Sequence, residues 1–115
     1  MNSIILSGRL VKDIEVKQSN SGSAYTRFTL AVDKIGKDKQ KGTNYIDCVA
    51  FNHSANFLGK YAHKGSKVYV SGELDVSTKE YEDGTKRTFY TVIANQVEAD
   101  TPKQNNNSNE MPFEL

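Results

Sequence analysis

Residues 45–51 run Tyr45-Ile46-Asp47-Cys48-Val49-Ala50-Phe51, and they alternate. In a strand, successive side chains point to opposite faces. Ile46, Cys48 and Ala50 then form one apolar face suited to a core. Tyr45 and Phe51 lie on the opposite face, with Asp47 and Val49 between them. A strand that is apolar on both sides needs a second reason for its outer rings. Nucleobases supply one, because every base has a flat π-face that stacks on an exposed ring whatever the sequence. Burial of both faces, between sheet and helix or at a subunit contact, is the alternative.

Outward from this strand, the chain reads as further strands with one helix. Ile4 to Val16 alternates imperfectly, and Gly8 inside it points to a bulge or bend. Ser19-Asn20-Ser21-Gly22 has turn chemistry. Tyr25 to Val32 predicts a strand with Phe28, Leu30 and Val32 inward and Tyr25, Arg27 and Thr29 outward. Lys34 to Thr43 is a polar loop. Ala55, Leu58, Tyr61 and Ala62 recur at helical spacing. A helix is predicted over Ser54 to His63, preceded by Asn52 or His53 and closed by Gly65. Val68 to Val76 alternates again, with Val68, Val70, Gly72, Leu74 and Val76 on one face. Glu82-Asp83-Gly84-Thr85 predicts a hairpin turn, and Lys86 to Val97 the last strand. Five strands with a helix between the third and fourth is the order of an all-β OB-fold barrel. Gly8 and Gly72 fit strands that turn a barrel corner. A generic α+β sheet with one helix is the alternative.

Composition changes at Thr101-Pro102. Lys103 to Asn109 is polar and lacks large apolar side chains. Such a segment cannot bury enough surface to offset its ordering entropy. The expected organisation is a folded domain over 1–101 and a disordered tail over 102–115. The tail ends Glu110-Met111-Pro112-Phe113-Glu114-Leu115, apolar residues on a polar tether that look like a short peptide ligand. A frayed terminus is the plainer reading.

The 115 residues suit one domain. The formal net charge is +1. Lys103 against Glu110 and Glu114 puts −1 on the tail and leaves +2 on the body. No global basic field announces nucleic acid, so any such site rests on local placement. Cys48 is the one cysteine, which excludes an internal disulfide and a cysteine-rich zinc site. His53 and His63 have no Cys or carboxylate at ligand spacing, so neither metal nor cofactor is expected. No Ser/His/acid or Cys/His arrangement, phosphate-cradling glycine motif or carboxylate pair stands out, and no enzyme is expected. The N-terminus lacks a basic region followed by a long apolar run, and no window approaches a membrane span. A reducing, intracellular compartment is therefore expected.

In order and spacing, several blocks resemble the bacterial and phage single-stranded DNA-binding proteins over residues 2–98. They are Ile4-Ile5-Leu6-Ser7-Gly8-Arg9-Leu10 with Lys12-Asp13, Phe28-Thr29-Leu30-Ala31-Val32, the Tyr45–Phe51 stretch, and Tyr61 with Lys64-Gly65-Ser66-Lys67-Val68-Tyr69-Val70-Ser71-Gly72-Glu73-Leu74. The resemblance implies an OB-fold and non-catalytic coating of single-stranded DNA in replication, recombination and repair. It places Tyr45, Phe51 and Tyr69 at stacking positions, and Tyr81 near the family's aromatic in the last hairpin. Lys64 and Lys67 match basic family positions. Lys34 and Lys37, with Lys39 and Lys41, are candidate phosphate contacts in the loop after the second strand. Lys12, Arg27, Lys86 and Arg87 are further candidates, or ordinary surface charge. The resemblance also implies a homotetramer in the bacterial cytoplasm, with the Ile4–Leu10 strands pairing edge to edge. In the tail, Met111, Pro112 and Phe113 correspond to a tip that replication or recombination proteins grip. The compact size and short tail lean toward a phage or mobile-element origin.

The sequence also departs from the family pattern. Lys34-Ile35-Gly36-Lys37 carries no ring where the family often has one. Asp47 stands where a basic or neutral polar group is usual, and is expected to weaken phosphate contact or to pair with a loop lysine. The Leu74–Tyr90 hairpin is about two residues longer than usual for the family. Glu114 and Leu115 follow the terminal ring. Phe28, Phe57, Phe89 and Tyr61 read as core. Two functions stay open: a single-stranded DNA binder with little sequence preference, and an OB-type module for protein assembly. RNA binding also remains open, since stacking does not distinguish the sugars.

Overall fold

The structure is a computed structural model that describes residues 1–36 and 42–100. The chain order is β1 (Ile4–Leu10), β2 (Lys17–Gln18), β3 (Ala24–Asp33), β4 (Thr43–Phe51), α1 (Asn52–Tyr61), β5 (Lys67–Glu80) and β6 (Lys86–Ala99). The five long strands close into a ring. β1 pairs β5, β5 pairs β6, β6 pairs β4, β4 pairs β3, and β3 returns to β1. Only the β4–β6 pairing is parallel. This is the OB barrel expected, with its helix between the third and fourth long strands. Two-residue β2 adds a short hairpin against β3.

Closure depends on β1 serving two neighbours. Ile4 to Arg9 pair with β5, and Arg9 and Leu10 pair with β3. At the changeover a Cβ on Gly8 would lie 2.6 Å from the Ala31 carbonyl oxygen, so only glycine lets the strands cross this closely. A second irregularity lies opposite Gly72. Ser71 faces Gln96 but Gly72 faces Ala94, which leaves Asn95 as an extra residue on β6. Such a bulge bends its strand and strengthens the local twist.

The barrel core is Leu10, Phe28, Leu30, Cys48, Ala50, Val68, Val70, Val92 and Ala94. Each lies on the inward set of an alternating strand. Ala55 and Leu58 of α1, with Ala62 just beyond it, join the same cluster. Buried Thr26 donates its hydroxyl to the Glu15 carbonyl (2.9 Å), which satisfies it and ties the 11–16 crossing to β3.

Several sequence expectations need correction. β1 ends at Leu10 and does not run to Val16. The helix begins at Asn52, two residues earlier than predicted, and ends at Tyr61. β4 runs straight into it, turning at Asn52 with φ 52°, a left-handed conformation that Asn tolerates. Gly65, expected to close the helix, lies instead in the next turn, where Ser66 N–H donates to the His63 carbonyl. β5 and β6 outrun the barrel by several residues, so Leu74 and Val76 keep the inward alternation yet are exposed. Tyr61 is also exposed, beside Phe57 and under the Lys60 ammonium. No helix among the described residues is long and apolar enough to cross a membrane. The tail, 102–115, lies outside the described residues.

Candidate nucleic-acid interface

The outward residues of β3 and β4 are in register. Tyr25 faces Phe51, Arg27 faces Val49, Thr29 faces Asp47, and Ala31 faces Tyr45. On the other side of β4, Val49 pairs with Ile93 of β6. Phe89 and Thr91 share the face of Ile93 by alternation. This surface is concave. A concavity of about 720 Å³ is lined by Arg27, Thr29, Asp47, Val49, Phe51, Phe89, Thr91 and Ile93. Lys12, Asp13, Glu15, Asp75 and Ser77 also line it.

Tyr45 and Phe51 are 67% and 47% exposed on this face. They do not serve the core of this chain, so burial between sheet and helix does not account for them. Phe89, read from sequence as core, is 40% exposed and joins Phe51 in the groove. Its spacing from buried Val92 and Ala94 carried the hint, since an odd-numbered residue of β6 before the bulge faces outward. The structure thus brings Phe51, Arg27 and Lys12 together and adds Phe89.

The groove is not basic. Lys12 and Arg27 face Asp13, Glu15, Asp47 and Asp75. Lys37, Lys39 and Lys41, loop lysines with which Asp47 was expected to pair, lie outside the described residues. Asp47 Oδ1 accepts the Thr29 hydroxyl at 3.1 Å. Asp13 accepts the Lys64 backbone N–H at 2.8 Å. Beneath the floor, Cys48 is buried, and that burial, reinforced by the charge of Asp47, pushes its thiol up to about 12.

Other predicted contacts lie elsewhere. Tyr81 sits in the β5–β6 turn with the Lys79 ammonium 5.6 Å from its ring centre. Lys79 stands directly opposite Arg87. Like charges in register repel, so an anion between them would relieve the arm. Lys79 was not singled out from sequence, and only the pairing register reveals it. Lys86 pairs across from Glu80 on the other face of the arm. In the turn, Asp83 accepts the Thr85 hydroxyl and backbone N–H, which hold its carboxyl below the usual range.

Tyr69 does not share the groove. Its strand neighbours are Ser7 and Glu98, and its hydroxyl donates to Asp100 at 3.0 Å. That bond is the main reason its phenol is pushed up, with burial and the charges of Asp100 and Glu98 adding to it. Lys67 lies 5.9 Å from its ring centre. Lys64 and Lys67 line another concavity, of about 330 Å³, with Arg9, His63 and Asp100. Lys34 starts the 34–42 loop, its N–H reaching the Gly42 carbonyl. Lys37, Lys39 and Lys41, and the tail residues Met111, Pro112 and Phe113, lie outside the described residues. Among the described residues, no group of three or more His, Cys, Asp or Glu is placed to hold a metal.

Comparison with known proteins follows the same outline. The Single-strand binding protein family matches residues 1–100. A single-stranded DNA-binding protein of Fusobacterium nucleatum is 43% identical over 114 residues, covering 96% of this chain and 73% of its own. One from Thermotoga maritima is 39% identical over 100 residues, covering 84% and 71%. One from Clostridium perfringens is 37% identical over 94 residues, covering 81% and 61%. The chain therefore spans roughly three-fifths to three-quarters of these relatives' lengths. With a match that runs the length of the barrel, the chain belongs to the single-strand binding protein family.

Proposed function

We propose that this chain binds single-stranded DNA without catalysis and with modest sequence preference, bases against the groove and phosphates along its rim. The observation that carries this is the pair Phe51 and Phe89, exposed in one groove beside Arg27 and Lys12. The acid-rich lining argues against phosphates on the floor, since like charges close together repel. Bases, flat and uncharged, suit a floor of rings and hydroxyls. Tyr45 extends the stacking row along β4. Lys79 and Arg87, with Tyr81 at the arm's turn, offer a further rim contact. Arg9, Lys64 and Lys67 lie near Tyr69 and suit a continuation of the strand around the barrel.

The wider reading follows from kinship. The chain acts where single strands are exposed in replication, recombination and repair, in the bacterial cytoplasm. It works as a homo-oligomer, a tetramer, and recruits replication or recombination proteins through Met111, Pro112 and Phe113. The open side of β1 supports self-association. Only Arg9 and Leu10 pair with β3, so the second edge of Ile4–Gly8 has no strand among the described residues, and Ile5 beside it is 76% exposed.

The test is fluorescence anisotropy with labelled single-stranded DNA, a matching duplex and a matching RNA at low and high salt. Wild type should prefer the single strand and weaken as salt rises. Phe51→Ala and Phe89→Ala, each checked for folding, should each cost about 1–3 kcal/mol of binding. Weak binding to all three nucleic acids would favour the protein-assembly reading. Unchanged binding in both folded variants would remove the stacking site from this groove.

A further inference from the structure

We infer that Asp47 gives the groove a base preference, favouring cytosine, which presents an exocyclic amine, over thymine. This rests on the single-strand binding proposed above. Asp47 stands on the outward face of β4, two residues from exposed Tyr45 and four from Phe51. Same-face neighbours along a strand are about 7 Å apart. A base stacked on the Tyr45 ring therefore brings its polar edge within reach of the carboxylate. The Thr29 hydroxyl holds Oδ1 at 3.1 Å, which fixes the group's orientation, and a carboxylate has a second oxygen.

The local charge favours this reading over a simple phosphate effect. The residue directly across from Asp47 is Thr29, while Arg27 faces Val49 instead. No cation therefore stands directly across from Asp47 on β3; Arg27 is its diagonal neighbour and shares the groove with it. Asp13, Glu15 and Asp75 add further carboxylates to the same groove. An ionised carboxylate only accepts hydrogen bonds. Cytosine offers N4–H₂ to it, whereas thymine offers the O4 acceptor at the corresponding position. The first contact is a charge-assisted hydrogen bond. The second sets two acceptors against each other, and thymine's one donor, N3–H, lies between two carbonyl oxygens that repel a carboxylate. An acid that acted only by repelling phosphates would weaken all sequences alike.

The experiment measures binding of oligo(dC) and oligo(dT) of equal length, at mildly alkaline pH so that cytosine stays neutral. Wild type is compared with Asp47→Asn, which keeps the size and the Thr29 acceptor but can donate as well as accept. The ratio of dC to dT affinity should fall by about two- to tenfold in the variant. Thr29→Val, which removes the anchoring hydroxyl, should shift the ratio in the same direction by less. Because the ratio is compared between the two proteins, differences in intrinsic stacking between the oligomers cancel. Equal changes on both oligomers, or no change in Asp47→Asn, would overturn the inference while leaving single-strand binding intact. Failure of wild type to bind either oligomer would overturn the underlying reading itself.

Discussion

Cys48 shows how one residue can belong to two surfaces of the same strand. Its side chain lies in the barrel, and its neighbour Asp47 lies in the groove. Burial and the Asp47 charge raise the thiol from 9.0 to about 12. The unfolded thiol loses its proton near the ordinary value, so above it the folded state holds more protons than the unfolded one. This contribution to stability is complete below about pH 9 and is lost as pH rises toward 12. Urea midpoints should therefore fall across that window, and more steeply in wild type than in Cys48→Ala. Tyr69, also pushed up, titrates in both proteins and drops out of the difference. Identical slopes would refute the assignment. At this scale the sequence was legible wherever alternation alone decides direction, as in 45–51, where Ile46, Cys48 and Ala50 do line the inside. Phe89 and Tyr61 were misread because apolar character was taken as burial. Ring chemistry says that a residue gains by leaving water, but not that the fold offers it a place to do so.

The β5–β6 hairpin explains why such places run out. Its lower half is barrel wall, with Val68, Val70, Val92 and Ala94 buried, and its upper half is an arm with Val76, Phe89 and Tyr90 exposed. The alternation of β5 passes the boundary unchanged, so the pattern could predict a strand without predicting where its core ends. The helix was legible through Ala55 and Leu58, but its start was not, because no side chain caps it and Asn52, expected to precede the helix, opens it in a left-handed conformation. Gly8 and Gly72 were legible as bends, for a reason the structure makes specific. A Cβ at Gly72 would collide with the Ile93 carbonyl oxygen at the bulge, where a backbone atom cannot swing aside. Gly72→Ala should therefore destabilise the fold by about 1–3 kcal/mol or more, read as a lower urea midpoint. A wild-type midpoint would mean that β6 can slide at Asn95 and that the bulge does not hold the register.

The whole barrel presents little net charge and one short groove, which bears on how it could hold a long strand. A body at +2 supplies no long-range field, and one OB barrel tracks only about 4–16 nucleotides. Copies acting together would raise the effective concentration of each groove for the next segment. The open β1 edge is the feature suited to assembling them, since an unpaired edge with an exposed apolar residue is a template for another strand. In a two-fold pairing the same strand meets itself, so a charge introduced there enters the interface twice, once from each copy. Ile5→Glu should therefore lower the mass seen by sedimentation from a multiple of 12.8 kDa toward a single chain. Ile5 is 76% exposed, so the fold itself should tolerate the change. Affinity per groove for a short oligomer should stay near wild type. Affinity for a strand long enough to span two copies should fall by about a hundredfold. That split separates a lost interface from a damaged groove, which would weaken both oligomers alike. A wild-type protein that sediments as a single chain while binding long strands tightly would assign the β1 edge no part in assembly and leave the groove to act alone.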